Sequence, residues 1–287
     1  MNLLIIDSHC LGHIAKHSMK GLTYSNMATD VIYGFFRLLY DLMVLFPDHQ
    51  PIFCWDSRKR ERFKIFPEYK IKRHSPTKTA EEIYIDDVTY KQLGDLRVDI
   101  LPALGFTNNF IKTGYESDDI MAYIVIHRKN PEDVIASNDE DMFQVLDYCK
   151  ICSPKDKYVI TKEIFEQRFG IPPVKWAEVK AIAGCTSDDV PGVVGVGTKT
   201  AIKYLLGNLK VKEKAYQKIM ESQQVIERNR LLVTLPLPGE YLVGIESPQV
   251  YSKIEFQRTC NKYGFASFLR APMWNNWMRV LKLEKGG

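Results

Sequence analysis

Three short apolar runs in this chain each end on a carboxylate. Leu3-Leu4-Ile5-Ile6 stops at Asp7, Pro51-Ile52-Phe53-Cys54-Trp55 stops at Asp56, and Val134-Ile135-Ala136-Ser137-Asn138 stops at Asp139, with Asp141 following. A further group, Glu116-Ser117-Asp118-Asp119, stands directly ahead of an apolar helical stretch at 120–126. One acid in such a place is an ordinary helix cap or a first-turn carboxylate favoured by the macrodipole. Seven of them (Asp7, Asp56, Glu116, Asp118, Asp119, Asp139, Asp141) brought to one edge would repel strongly, because close like charges resist simultaneous ionisation. Hard divalent cations relieve that repulsion, and all-oxygen ligation favours Mg²⁺ or Mn²⁺ over zinc. Paired ions of this kind clamp the attacking and leaving oxygens of a phosphoryl transfer. The chemistry indicated is metal-dependent phosphodiester hydrolysis.

For these acids to meet, the three runs must be neighbouring parallel strands, since ligands bind at the carboxyl edge of such sheets. Apolar runs alternating with helical patterns predict an α/β fold, a mostly parallel central sheet with helices on both faces. With 287 residues, 45% hydrophobic and 26% charged, the composition is that of a folded globular protein. The longest apolar stretch, 31–46, is interrupted by Arg37 and Asp41 and falls short of the roughly 18 residues of a membrane span. The N-terminal run ends at Asp7, too early for a signal-peptide core, so the expected compartment is the cytoplasm with no membrane partner.

Net charge is only +4, but its distribution is uneven. Residues 58–73 hold eight basic side chains (Arg58, Lys59, Arg60, Arg62, Lys64, Lys70, Lys72, Arg73) against Glu61 and Glu68, an excess of six. Phe63, Phe66 and Tyr69 are interleaved, the mixture that grips a phosphate backbone and stacks on bases. A solvated helical face is the competing reading. Further along, Gly192-Val193-Val194-Gly195-Val196-Gly197-Thr198-Lys199 fails as a P-loop, because Thr198 separates the last glycine from Lys199. It fails as a dinucleotide fingerprint because its glycines run G-x-x-G-x-G after a helix at 174–183. It reads as a glycine turn between that helix and a second one starting near Thr198. Backbone N–H groups around Gly195 and Gly197, with Lys199, would hold a duplex phosphate without reading sequence.

Six cysteines in a chain of this length do not make a disulfide scaffold, so free thiols are expected. Cys149 and Cys152 form a lone C-x-x-C inside an apolar strand-like stretch at 148–152, with no partner pair at zinc spacing. His9, Cys10, His13 and His17 share a helical face and are expected to be unliganded.

In order and spacing, these residues resemble the 5′-nucleases: flap endonucleases, bacteriophage 5′-exonucleases and the nuclease domains of bacterial repair polymerases. The resemblance covers about the first 205 residues. It rests on Ile-Ile-Asp7, the strand ending in Asp56, Phe-Pro-Glu-Tyr69-Lys70 with Arg73, Glu116-Ser-Asp118-Asp119, Asn-Asp139-Glu-Asp141, and the stretch from Gly184 through Asp188 to Gly197. It implies a helical arch at about 58–95 on a nuclease core of 1–160, a helix-hairpin-helix at 161–210 often holding K⁺, and a C-terminal helical region, 211–287, packed on the core. It also implies two-metal hydrolysis of DNA from the 5′ side, with in-line attack and 5′-phosphate products. Asp56, Glu116, Asp118 and Asp139 would serve a first ion, Asp7 lying in its outer sphere, while Asp141 and Asp188 serve a second. Among the catalytic set, with Asp118 and Asp139, Lys70 and Arg73 would contact the scissile phosphate and Tyr69 would stack on a base; Arg58 and Lys64 belong to the same DNA-binding segment. The expected partner is DNA at a 5′ flap or junction, met by a monomer alongside replication proteins, in a bacterial or phage-infected cell.

One position departs from the family pattern. Where Gly-Asp-x-x-Asp is expected, the chain reads Gly184-Cys185-Thr186-Ser187-Asp188. A thiol is a poor substitute for a carboxylate on Mg²⁺, so the second site is expected to be weakened, with Mn²⁺ rescue and with Asp189 as a substitute ligand if the loop turns. Two alternatives follow: a structure-specific DNA-binding protein with weakened catalysis, and a single-stranded RNA nuclease, which would have no use for the arch or the glycine turn. Beyond residue 208, helices are expected near 212–235 and 256–269. Trp274, Trp277 and Met278 are expected to pack, although the basic end at 274–285 could also touch duplex.

Overall fold

The computed structural model describes residues 1–57, 61–74 and 79–283, the side chains of residues 73 and 74 excepted. The expectations placed on Arg58 and on the Arg73 side chain therefore lie outside the described residues. In chain order, β1 (Asn2–Asp7) leads into α1 (Ser8–Ser18), a small hairpin of β2 (Thr23–Tyr24) and β3 (Met27–Ala28), α2 (Asp30–Leu45) and β4 (His49–Trp55). Next come α3 (Arg62–Ile65), α4 (Ala80–Asp95), α5 (Leu101–Ala103), β5 (Asn109–Ile111), α6 (Ser117–Arg128) and β6 (Val134–Ala136). After β7 (Lys150–Cys152), β8 (Val159–Ile160) and α7 (Lys162–Phe169), the chain forms α8 (Trp176–Ala183), β9 (Gly184–Cys185), β10 (Val190–Pro191) and α9 (Thr198–Leu205).

The central sheet has six strands in the order β5-β4-β1-β6-β7-β8, all parallel neighbours except the antiparallel β7–β8 pair. Its strands are apolar at consecutive positions because both faces are covered. Leu3, Ile5, Ile52, Cys54, Ile135 and Ile151 enter one core with α6 and α8, while Leu4, Ile6, Phe53, Trp55, Val134 and Cys152 enter the other with α1 and α2. The register sets Asp7 beside Cys54 and Ile6 beside Ala136, so the three strands end together. The acids that follow them therefore emerge at one edge.

The later chain divides between the two faces. Of α10 (Lys214–Glu221) and α11 (Gln223–Val233), Ile219, Ile226 and Leu232 join the α6–α8 core. α12 (Lys253–Tyr263), α13 (Ala266–Leu269) and α14 (Met273–Val280) cover the α2 side, where Trp277 is fully buried against Phe36 and Phe256. The expected helices at 212–235 and 256–269 are thus each two helices, the second pair separated by Gly264 in the left-handed region (φ 73°). Cys149 and Cys152 are buried free thiols packed into the two cores. Among the described residues, no helix is long and apolar enough to cross a membrane.

Candidate metal centre and nucleic-acid cleft

A cleft of about 980 Å³ opens over the carboxyl ends of β1, β4 and β6 and is lined by Asp7, Asp56, Asp118 and Asp139. Two serines hold this set in place. Ser117 donates through N–H and Oγ to Asp56 Oδ1 (2.8 and 2.9 Å), and Ser137 Oγ donates to Asp7 Oδ2 (2.9 Å). Asp7 also caps α1 by accepting from Cys10 N–H at 3.0 Å, so the same residue ends the strand and starts the helix. Glu116 lies buried at the start of α6, its two oxygens accepting from Lys70 Nζ at 2.9 and 2.8 Å.

The protein neutralises only part of this cluster. Burial alone would raise Asp56, yet the His9 ring, the Ser117 donors and Lys70 hold it down to about 2. Glu116, also opposed by burial, is lowered by Lys70 and Arg62. By contrast, burial and then Asp56 push Asp7 up to about 7, and burial and then Asp141 push Asp139 up to about 6. Asp118 is raised by burial, then by Asp139 and Asp7. Asp7, Asp118 and Asp139 thus lack enough internal countercharge, and an all-oxygen trio of this kind fits a hard divalent cation.

A carboxyl whose pKa is higher in the folded than in the unfolded chain favours the fold while protonated and opposes it once ionised. The contribution of Asp139 and Asp7 is therefore fully present below the ordinary value of 3.8 and is lost as pH rises through about 6 and about 7. A bound divalent cation removes that penalty. The rise in melting temperature on adding Mg²⁺ or Mn²⁺ is accordingly expected to grow between about pH 5 and about pH 8. Scanning fluorimetry checks this, and a shift that does not change with pH would contradict it.

Asp119 does not join the cluster, which corrects the expectation from sequence. Its carboxylate takes a bidentate contact from Arg62 (2.7 and 2.8 Å) and the N–H groups of Glu116 (3.2 Å) and Leu237 (2.8 Å). Arg62 in turn donates Nε to Leu232 O at 2.8 Å, tying the basic segment to the end of α11. Tyr69 is corrected as well. It is buried, and its hydroxyl bridges Glu116 (2.8 Å) and Asp188 (3.2 Å), so its ring is not presented to a base. Lys64, on α3, is exposed, pairs with Glu61 and is not among the residues lining the cleft. Lys70 adopts φ 54° and lines the cleft, its ammonium lying between Glu116 and Asp188 (Oδ1 at 3.4 Å).

Asp141, Cys185 and Asp188 form a second group, their ligand atoms all within 4.8 Å of one another. Burial, then Asp141 and Asp188, push the Cys185 thiol up to about 11. Asp189 is turned away into an ion pair with Lys72 (2.7 Å) and accepts its N–H (3.0 Å), so it does not substitute for the missing carboxylate. Lys180 of α8, which nothing in the sequence signals, sits 2.8 Å from Asp141 Oδ1. His9 and His13 line the cleft beside Tyr90, and His9 Nδ1 accepts from the Asp56 N–H at 3.1 Å. The turn spacing from Asp7 could have placed them there.

The glycine turn joins α8 to α9 through a feature the sequence reading missed, the antiparallel β9–β10 hairpin. Two-residue strands carry no periodic signal. A Cβ on Gly192 would stand 2.2 Å from the Ala183 carbonyl carbon, and Gly195 is in the left-handed region (φ 80°). Val193 and Val196 anchor the turn in the core, while Val194, Gly195, Gly197 and Lys199 are exposed.

The family described as 5′-3′ exonuclease, N-terminal resolvase-like domain, matches residues 2–170. The thermostable DNA polymerase I of Thermus caldophilus is 29% identical over 94% of this chain and 34% of its own length. The 5′-3′ exonuclease of Aquifex aeolicus is 30% identical over 71% of this chain and 68% of its own. The chain thus spans about a third of the length of the polymerase relatives. Among solved structures, a T5 5′-exonuclease with bound divalent metal ions (zinc) has a TM-score of 0.71 at 24% identity, covering 82% of this chain and 90% of that one, which shows a shared fold. With the family match extending over more than half its length and the strand-end carboxylates gathered in one cleft, the chain belongs to the 5′-3′ exonuclease family.

Proposed function

We propose that the protein is a structure-specific, divalent-metal-dependent 5′-nuclease that hydrolyses DNA at 5′ ends and flaps, RNA primers on DNA included. The observation that carries this reading is the trio Asp7, Asp118 and Asp139, incompletely neutralised by the protein and lining a cleft at the carboxyl edge of the sheet. Asp56, Glu116, Asp118 and Asp139 would hold Mg²⁺ or Mn²⁺, with Asp7 in the outer sphere. Such an ion supplies Lewis-acid stabilisation of the phosphate and lowers the pKa of the attacking water. Ser117 and Ser137 fix the carboxylates that orient it, and Lys70, lining the cleft, donates to phosphate oxygens as their charge develops. Arg73 and Arg58 belong to the DNA-gripping segment in this reading.

The glycine turn is the proposed duplex contact, with K⁺ as the ion the family resemblance assigns there. Its exposed N–H groups at the start of α9 and Lys199 favour phosphate without reading bases. Lys199→Ala is expected to weaken binding uniformly across sequences and to reduce the salt-dependence slope by about 0.9. Fluorescence anisotropy over a salt series checks this. In the cell the protein would work as a monomer alongside replication proteins, in the cytoplasm of a bacterium or phage-infected host. A binding protein without catalysis is not favoured, and Asp7, Asp56, Asp118 and Asp139 lining one cleft support the catalytic reading. The deciding experiment is cleavage of a labelled 5′-flap DNA against single-stranded RNA, in Mg²⁺ and in Mn²⁺, by the intact chain and by Asp139→Ala. Flap-selective cleavage lost in Asp139→Ala supports the reading, and cleavage unchanged by that substitution overturns it.

A further inference from the structure

Asp141, Cys185 and Asp188 come from three separate pieces of backbone. Asp141 follows Asp139 in a 3₁₀ turn, Cys185 ends β9 paired with Val190, and Asp188 closes the next 3₁₀ turn. Cys185 Sγ lies 3.9 Å from Asp141 Oδ2 and 3.1 Å from Ser187 Oγ. All three ligand residues are buried.

The charge around this group differs from that of the neighbouring trio. Lys180 Nζ stands 2.8 Å from Asp141 Oδ1, and Lys70 Nζ stands 3.4 Å from Asp188 Oδ1. Each carboxylate has an ammonium beside it, and the third ligand is a thiol. Mg²⁺ gives up its hydration reluctantly and is held best by several carboxylates, whereas this group offers two, each already paired with an ammonium, and a thiol. The residues therefore do not fit a second hard ion. A soft ion gains a bond that Mg²⁺ cannot make, because sulfur ligands select thiophilic metals.

We infer that Asp141, Cys185 and Asp188 form a mixed sulfur–carboxylate site that takes a thiophilic divalent cation, of the Zn²⁺, Cd²⁺ or Co²⁺ class, in preference to Mg²⁺. On binding, the Sγ–H bond breaks, the metal–sulfur bond forms, and the proton leaves to solvent. The inference rests on the nuclease reading only for the expectation that a hard ion occupies the first carboxylate set.

The test is titration of the intact chain with Co²⁺ in excess Mg²⁺, following the near-ultraviolet sulfur-to-cobalt charge-transfer band. The band is expected in the wild type, at one equivalent, and is expected to vanish in Cys185→Ser. Because Cys10 borders the cleft, Cys10→Ser is the control and should keep the band. Asp188→Asn should weaken Co²⁺ binding at least about tenfold, and it gives a readout independent of replacing the cysteine. Cys185→Asp should lose the band and bind one more equivalent of Mn²⁺ by calorimetry. Absence of the band, or a band that survives Cys185→Ser, overturns the inference. Flap cleavage by wild type in Mg²⁺ that is lost in Asp139→Ala would leave the nuclease reading intact in either case.

Discussion

Asp118→Ala is expected to lower flap cleavage by ~10³-fold or more while leaving flap binding within a few-fold of wild type. Asp118 borders the cleft, and its carboxyl is raised by burial and by the charges of Asp139 and Asp7. A side chain held this way is costly to keep unless a cation uses its charge. Removing it would delete a proposed ligand to the ion and relieve repulsion among the remaining acids, so the fold should tolerate the change or gain from it. Loss of cleavage with an unchanged or raised melting temperature is the expected pair of results. Cleavage within about tenfold of wild type would remove Asp118 from the metal set.

Asp119→Ala is expected to do the opposite. Asp119 is fully buried, and all its contacts are internal: the Arg62 guanidinium and the N–H groups of Glu116 and Leu237. Truncation removes the bidentate partner of the buried Arg62 cation and leaves it with the more distant Glu116, at 3.7 Å, a change that costs about 3–5 kcal/mol. For a chain of this size that corresponds to a fall in melting temperature of roughly 10 °C. The same change loosens the segment carrying Tyr69 and Lys70 and the end of α11, which Arg62 ties together through Leu232 O. Thermal denaturation checks the prediction, and a fall of less than about 2 °C would show that the pair contributes little. Replacing both partners with apolar residues of similar volume should recover much of the loss, because no buried charge is then left unmatched.

These two adjacent aspartates show how far the sequence could be read. Local order alone determined that Asp7, Asp56 and Asp139 end strands, since an apolar run stopping at an acid needs no tertiary information to recognise. It also determined that the strands are parallel neighbours, because alternation with helices leaves few other arrangements. The glycine turn between two helices and the thiol at position 185 were legible for the same reason. Which acids carry unmatched charge was not. Asp118 and Asp119 stand side by side in the first turn of α6, where one residue turns the side chain by about 100°. Only the packed chain put Arg62 opposite one of them and the open cleft opposite the other. Tyr69 follows the same logic: an aromatic in a basic run reads as a base-stacking residue until Glu116 and Asp188 arrive from distant segments to accept its hydroxyl. The sequence by itself determined the fold class and the acids at the strand ends. The tertiary structure decided which of those acids the protein neutralises and which it leaves short of countercharge, because electrostatic compensation depends on distances of a few ångströms between residues far apart in the chain.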